Sequence, residues 1–587
     1  MFKYMDINDI KSPKDIKGLS VEELAPLADD LRVALLKKLS AHGGHIGPNL
    51  GFLEPTIALH YVFNAPEDKI VFDVSHQTYV HKMLTGRIAA FTDPAKFDDV
   101  TGFTNPKESP YDLFTIGHTS TGVSLASGLA KARDLEGKKY NVIAVVGDGA
   151  LSGGLAFEGL DAAAELGSNF IVVVNDNDMS IAENHGGLYD NLALLRETKG
   201  AAPNNYFKAL GYDYIYVDRG NDLAALVDAF RAVKDSEKPV VVHLNTLKGH
   251  GYVPAEVRKE DFHFGAPFNL SDGSPKTPDT AESYNEIFAC YMLERINRDP
   301  RTVVLTAGTP GAIGFGPEAR AQAGKHFVDT GIAEQDAVSM GAGLAKGGMR
   351  PCFGVVSSFV QRAYDQLSQD VAIDRNPLVL SVFFNGAMGM TDVTHLGWFA
   401  SPMIADIPNW VCLAPTNVEE YMAMLDWAMA QTENPVMVLV PGGKVIHSDR
   451  TLKTDYDQLD TFETVRSGSK VAFIGVGAML QVAEGAADEL KKQGIDATVI
   501  NPRFVSGLDE KMLRDLEKDH TVVVTLEDTC LAGGFGEKVA AFYGPTSMKT
   551  VALGVPREFL DRYNPKDLMK ACSLTPTGAA KRALALL

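Results

Sequence analysis

The stretch VIAVVGDGALSGGLAFEGLDAAAELGSNFIVVVNDNDMSI, residues 142–181, sets two runs of branched apolar residues on either side of an alanine-rich segment. Apolar runs with no polar residue inside them read as strands buried on both faces of a parallel sheet. The segment around residues 157–166 reads as the helix that joins them. A right-handed crossover brings the carboxyl ends of two such strands to the same sheet edge, where ligands of open α/β sheets collect. That edge would carry Asp148 from the first strand and Asn177, 29 positions later, from the second. A carboxylate and an amide oxygen are hard ligands suited to Mg²⁺, which takes its remaining oxygens from phosphate. Gly147 and Gly149 would let the backbone approach closely. A Gly-Asp-Gly triplet alone is ordinarily a turn; the second element at the end of the next strand makes Mg²⁺ bridging a diphosphate the expected use.

The alternation of short strands and helices continues outward from this core, the pattern of parallel α/β domains. KPVVVHLNT (238–246) is a further strand of the first series. A second series runs through RTVVLTAG (301–308), KHFVDTGIAEQ (325–335), MRPCFGVV (349–356), NPLVLSVFF (376–384), NWVCLAPT (409–416) and PVMVLVP (435–441). The polar segment 447–469 reads as a linker or a surface loop. A third series follows with KVAFIGVG (470–477), DATVINPR (496–503), HTVVVTLED (520–528) and TVALGVP (550–556). The expected architecture is three sequential parallel α/β domains over residues 1–280, 281–455 and 456–587.

Composition narrows the function. The 587 residues exceed what one hydrophobic core serves, and 45% of them are hydrophobic. A formal net charge of −20 argues against a phosphate-backbone-binding surface, so no nucleic-acid partner is expected. The first twenty residues have neither an apolar core nor an Arg-rich, acid-poor character, and no apolar run reaches the ~20 residues that span a bilayer. The five cysteines are scattered without metal-ligand spacing and read as reduced core thiols. These features describe a soluble, cytoplasmic chain without a membrane partner.

The Asp148 and Asn177 pairing resembles the thiamine diphosphate motif, in which GDG is followed some thirty residues later by an asparagine. Further blocks make the resemblance narrower: GGHIGPNLGFLEPTIALHYVF (43–63), FDVSHQTYVHKMLTGR (72–87), TIGHTSTGVSLASGLA (115–130), LKGHGYVPAE (247–256), FVDTGIAEQDAVSMGAGLA (327–345), SSFVQRAYDQL (357–367), INPRFVSGLDE (500–510) and LEDTCLAGGFG (526–536). Over nearly its whole length the chain resembles the 1-deoxy-D-xylulose-5-phosphate synthase family. That resemblance implies a transketolase-like architecture with a diphosphate domain, a pyrimidine domain and a C-terminal domain. It also implies a homodimer, the cofactors thiamine diphosphate and Mg²⁺, and a decarboxylative condensation of the 2-oxo acid pyruvate with an aldehyde. The product would serve isoprenoid and thiamine biosynthesis.

Carried over residue by residue, Asp148, Asn177 and the carbonyl of Met179 would hold the metal. His76, Gly117, His118, Thr119, Gly149, Ala150 and Lys248 would line the cofactor, with Lys248 on the diphosphate or merely snorkelling at the surface. Glu334, expected at a strand end, would bond the pyrimidine, and Phe359 would stack on it. His45, His76 and His395 would move protons and orient substrates, as imidazoles do near neutral pH. His42 and His81 read as structural.

Departures cluster on the acceptor side. Phe384 and Gly442 stand where the family has two arginines that read the phosphate of glyceraldehyde 3-phosphate. Thr391 replaces an aspartate, with Asp392 one place later; Val356 replaces a tyrosine and Asp336 a histidine. The segment before YFKALGYDYI is shortened. Arg362 is kept, and Lys444 offers a replacement charge. Two readings follow: a synthase whose acceptor phosphate is bound by Arg362, Lys444 or backbone amides, or a relative that uses another acceptor or a transketolase-like ketose donor. A non-catalytic cofactor-binding protein would leave Glu334 unexplained, and a metal-dependent phosphatase would leave the second domain so.

Overall fold

The computed structural model describes residues 5–278 and 280–587. The chain forms two compact units, Met1–Thr280 with Gly331–Ala333, and Ala281–Thr330 with Glu334–Leu587.

The first unit is built on five parallel strands: β1 (Lys69–Phe72), β2 (Val142–Gly147), β3 (Phe170–Asp176), β4 (Asp213–Val217) and β5 (Pro239–Asn245), in the order β1-β2-β3-β5-β4. The chain runs from β1 through β3, skips to the edge at β4 and turns back to place β5 beside β3. β2 and β3 are the two apolar runs of the opening stretch, and the helix Gly154–Ala164 joins them. Every residue of β3 is buried, as are Val142 to Val146 of β2, because helices cover both faces. Each buried valine or isoleucine contributes about 1.5–3 kcal/mol relative to exposure. β1 and β4 were not anticipated: KIVF is four residues long, and DYIYV is half-exposed and tyrosine-rich, so neither has a long apolar run.

The second unit holds two sheets. β6 (Thr302–Thr306), β7 (Phe327–Asp329), β8 (Arg350–Val356), β9 (Val379–Asn385), β10 (Val411–Leu413) and β11 (Val436–Pro441) form a six-stranded parallel sheet in the order β10-β11-β9-β8-β6-β7. β12 (Glu463–Arg466), β13 (Lys470–Gly475), β14 (Thr498–Asn501), β15 (His520–Cys530) and β16 (Lys549–Val555) form the other, ordered β12-β14-β13-β15-β16. One hydrophobic core runs from Leu305 and Leu380 of the first to Ile474 and Val523 of the second.

Three expectations are corrected. The polar segment 447–469 is not all linker or loop, because β12 lies within it and pairs antiparallel with β14. Just before β12, the buried Arg503 guanidinium donates to the carbonyls of Asp455 and Thr461 and lies over the Tyr456 ring. The cysteines are free, but only Cys352, Cys412 and Cys530 are buried; Cys290 is exposed, because the helix Tyr284–Arg298 turns Tyr284, Phe288, Ala289 and Met292 inward and Cys290 away from them. Glu334 does not end a strand but begins the helix Glu334–Lys346. Among the described residues no helix is long and apolar enough to cross a membrane.

His60 and His81, both buried in the first unit, are bonded ring to ring at 2.9 Å, and His81 continues to Asp112 at 2.9 Å. Burial holds both imidazoles below the usual 6.5, with Asp112 opposing the fall at His81. In the unfolded chain these rings take up protons near pH 6.5, so below that the unfolded state binds more protons than the fold. Their contribution is complete above pH 6.5 and is lost as pH falls toward the folded values. We expect the melting temperature to drop between pH 7 and pH 5, with about 2 kcal/mol lost at pH 5 for each ring that stays neutral in the fold. A flat profile that His60→Asn leaves unchanged would contradict this.

Candidate active site

The parallel register of β2 and β3 aligns Gly147 with Asn175, and the Asp148 amide donates to the Asn175 carbonyl at 3.0 Å. Asp148 and Asn177 therefore leave the sheet at the same edge. Asp148 is buried; its Oδ2 accepts from the Met179 amide at 3.0 Å and from Asn184 Nδ2 at 3.1 Å. The next carboxylate, Asp176, is also buried, held by Arg196 through both oxygens at 2.8 Å and by His243 at 2.8 Å. Those partners keep Asp176 ionised. Asp148, first by burial and then by the Asp176 charge, is pushed well above the usual carboxylate range.

Arg196 is committed to Asp176 and Lys248 to the Ser180 carbonyl, and Mg²⁺ with a diphosphate fits the edge on three counts. Asn177 Oδ1 is buried without a hydrogen-bond partner. Asp148 is a carboxylate whose ionised form a cation would restore. No three His, Cys, Asp or Glu side chains among the described residues cluster to hold a metal. A cation here would thus rest on one carboxylate, one amide and anionic oxygens, a Mg²⁺ ligand set. Lys248 is buried, not snorkelling at the surface; its Nζ donates to the Ser180 carbonyl at 2.6 Å, and burial lowers it to about 7 while Asp148 pulls it up.

The surrounding loops are fixed by side chains. Buried Asp73, just after β1, accepts from the Ser120 amide at 2.7 Å and the Gly122 amide at 2.9 Å, which sets the loop bearing Gly117, His118 and Thr119. Ser120, with φ of 72°, donates from Oγ to the Ala150 carbonyl at 2.8 Å and so ties that loop to the Asp148–Ala150 turn. Asn49, fully buried, donates to the carbonyls of His45 at 2.8 Å and His76 at 2.7 Å. A short antiparallel pair, Gly44–His45 with Phe264–Gly265, adds His263. The rings of His45, His76 and His263 lie 5.1–5.9 Å apart, and burial lowers His76 to about 3 and His263 well below 6.5. His76 and His263 are neutral-imidazole candidates, with the His45 ring beside them, at one place in the first unit.

The second unit carries the remaining candidates. Glu334 is buried, and Arg362 Nη1 lies 3.5 Å from its Oε2. Burial raises the Glu334 carboxyl and Arg362 opposes the rise. Phe359, in the helix Ser357–Val360, is 5.5 Å from the His395 ring. His395 is oriented by Thr394, whose Oγ1 lies 2.7 Å from both Asp392 Oδ1 and His395 Nδ1. Since Asp392 can only accept, Thr394 donates to it and accepts from His395 Nδ1–H, which leaves Nε2 as the acceptor face of the ring. Lys444 is exposed and bonded to none of these. The structure thus groups Glu334 with Arg362, and Phe359 with His395 and Asp392, but leaves Lys444 apart.

Geometry explains one missing arginine. A Cβ on Gly442 would lie 2.5 Å from the Gly389 nitrogen and 2.8 Å from the Met388 carbonyl carbon, so the loop after β9 occupies the space a side chain would need. Phe384 has φ of 56°, and its carbonyl is enclosed by Gly389 and Gly397. Sequence reasoning missed Asn49, Asp73, His263, Thr394 and the Asp176, Arg196 and His243 cluster. Asn49 and Asp73 stand in quoted motifs and Thr394 precedes His395, yet each acts through backbone contacts or a neighbour that spacing does not reveal.

A family model described as 1-deoxy-D-xylulose-5-phosphate synthase matches residues 7–202; the transketolase pyrimidine-binding and C-terminal domains match residues 276–445 and 460–578. The chain is 40% identical to the 1-deoxy-D-xylulose-5-phosphate synthase of Symbiobacterium thermophilum over 99% of its own length and 95% of the relative's. It is 38% identical to that of Desulforudis audaxviator, over 97% and 95%. A transketolase structure from Pichia stipitis shares 16% identity, with a TM-score of 0.45, over 95% of this chain and 96% of that one.

Substituting Gly442→Ala should cost on the order of 1–3 kcal/mol of stability, seen as a lower melting temperature, because the added carbon meets backbone on a packed loop. A melting curve identical to that of the unaltered protein would contradict the crowding described for this position.

Proposed function

The chain belongs to the 1-deoxy-D-xylulose-5-phosphate synthase family, and from that membership we propose that it condenses pyruvate with glyceraldehyde 3-phosphate, releasing carbon dioxide and giving 1-deoxy-D-xylulose 5-phosphate. The carrying observation is that both groups are present, the Asp148 and Asn177 edge in the first unit and buried Glu334 in the second. Phosphatase and non-catalytic readings account for only one of them.

Asp148, Asn177 and the Met179 carbonyl would hold Mg²⁺, with Lys248 and the Gly149–Ala150 backbone on the diphosphate. Gly117, His118 and Thr119, fixed through Asp73, would line the same end. When bound, thiamine diphosphate supplies a carbanion that adds to a ketone carbon and then takes up the electrons freed as carbon dioxide leaves. Glu334 would bond the pyrimidine ring; its raised, buried carboxyl holds a proton more readily than a solvated one and suits exchange with a ring nitrogen. Phe359 would stack on that ring. His76 and His263, held neutral by burial, and His45 beside them would hydrogen-bond a substrate oxygen. His395 Nε2, oriented through Thr394 and Asp392, would take or return the proton at the aldehyde oxygen. Arg362 would supply positive charge for the acceptor phosphate in place of the missing arginines; Lys444, exposed and apart from that group, is the second candidate.

We assign residues 1–280 to the diphosphate domain, 281–455 to the pyrimidine domain and 456–587 to the C-terminal domain, in a cytoplasmic homodimer serving isoprenoid and thiamine biosynthesis.

Glu334→Gln should keep the rise in melting temperature caused by thiamine diphosphate with Mg²⁺ while lowering turnover by about a thousandfold or more. Near-normal turnover in this variant would overturn the assignment. Asp148→Asn should abolish the melting shift itself; an undiminished shift would remove Asp148 from the metal site.

A further inference from the structure

The loop that follows β9, residues 386–398, carries Asp392, Thr394 and His395, yet it has little internal structure. Gly386, Gly389 and Gly397 punctuate it, and its own backbone bonds are few: Gly386 to Gly397 at 3.1 Å, Gly389 to Gly386 at 3.2 Å and His395 to Asp392 at 2.9 Å. A glycine-rich segment loses much conformational freedom when it is ordered, so its shape must be set by something outside it.

The C-terminal sheet supplies that restraint at both ends and in the middle. The Ala387 amide donates to the Asp528 carbonyl at 2.9 Å, and the Cys530 amide donates to the Trp398 carbonyl at 3.0 Å. Both partners belong to β15. Between these anchors, the segment after β16 reaches over the loop. Tyr563 Oη donates to the Ala387 carbonyl at 2.8 Å, with the Met390 carbonyl at 3.3 Å as a weaker second acceptor. The Arg562 amide donates to the Thr391 carbonyl at 2.8 Å, and Asp561 Oδ1 accepts from the Val393 amide at 3.3 Å. The Tyr563 ring packs on buried Trp398 at 5.3 Å, and Phe559 on Phe399 at 5.5 Å. Asp528 sits so closely against Gly386 that no side chain fits there.

These bonds flank Asp392 directly: Thr391 and Val393, its two neighbours, are both held by the C-terminal segment. Through Asp392 and Thr394 the restraint passes to the orientation of His395. We propose that Tyr563, with Asp561, is a positioning residue for the acceptor aldehyde, so that the C-terminal domain sets the conformation of the loop that presents Asp392 and His395. With one family arginine replaced by Gly442 and the loop packed into that space, acceptor binding in this chain depends on loop conformation more than on guanidinium contacts. The inference rests on the reading that this loop faces the aldehyde.

The test uses the full-length Tyr563→Phe and Asp561→Ala variants, read in two ways. Hydrogen exchange should speed up by about tenfold at the amides of residues 386–398 while the helix Met479–Lys491 keeps its protection. Unchanged exchange in both variants would overturn the clasp, whatever the enzyme's substrates. Steady-state kinetics should show the KM for glyceraldehyde 3-phosphate rising by about five- to tenfold with the KM for pyruvate unchanged. Faster exchange with both KM values unchanged, or with both rising together, would overturn the acceptor role. Absence of turnover in the unaltered protein would instead refute the proposed reaction, and the exchange measurement would still decide whether the clasp exists.

Discussion

Two buried carboxylates at the end of adjacent strands set the terms for the first unit. Asp176 is neutralised by Arg196 and His243, whereas Asp148 receives only amide donors and the distant influence of Lys248. Burying a charge without a compensating partner is expensive, so the sheet edge is electrostatically incomplete as it stands. A divalent cation would complete it, and the orphaned Asn177 oxygen beside it would give that cation a second ligand. The parallel register of β2 and β3 makes the arrangement possible, and the helical crossover between them makes that register the natural one.

Much of this was legible in the sequence because it follows from strand periodicity. The runs at 142–147 and 170–176 read as buried strands, and adjacent parallel pairing then puts Asp148 and Asn177 at one edge. Short or half-exposed strands such as Lys69–Phe72 and Asp213–Val217 carry too few apolar residues to stand out. The site histidines show the same boundary. His45 and His76 could be named from their motifs, but that Asn49 bridges their carbonyls, and that a two-residue antiparallel pair adds His263, depends on contacts between segments far apart in the chain. Lys248 could be read either way from sequence; its burial decides for an interior role.

The second unit illustrates how a departure in sequence becomes a difference in packing. Gly442 is not simply an arginine deleted; the loop after β9 occupies the space, leaving none for a side chain. Positive φ at Phe384 accompanies that arrangement. The loop is then held from outside by β15 and by the segment ending at Tyr563, so strands at the far end of the chain govern the presentation of His395. The acceptor side was the least legible region because its shape arises from long-range backbone bonds rather than from local propensity.

The most direct measurement is carbon dioxide release from pyruvate by the purified protein with thiamine diphosphate and Mg²⁺, made with and without glyceraldehyde 3-phosphate. The account predicts release that rises strongly with the aldehyde phosphate and is matched mole for mole by 1-deoxy-D-xylulose 5-phosphate. Release indifferent to the aldehyde phosphate, or none at all, would contradict it.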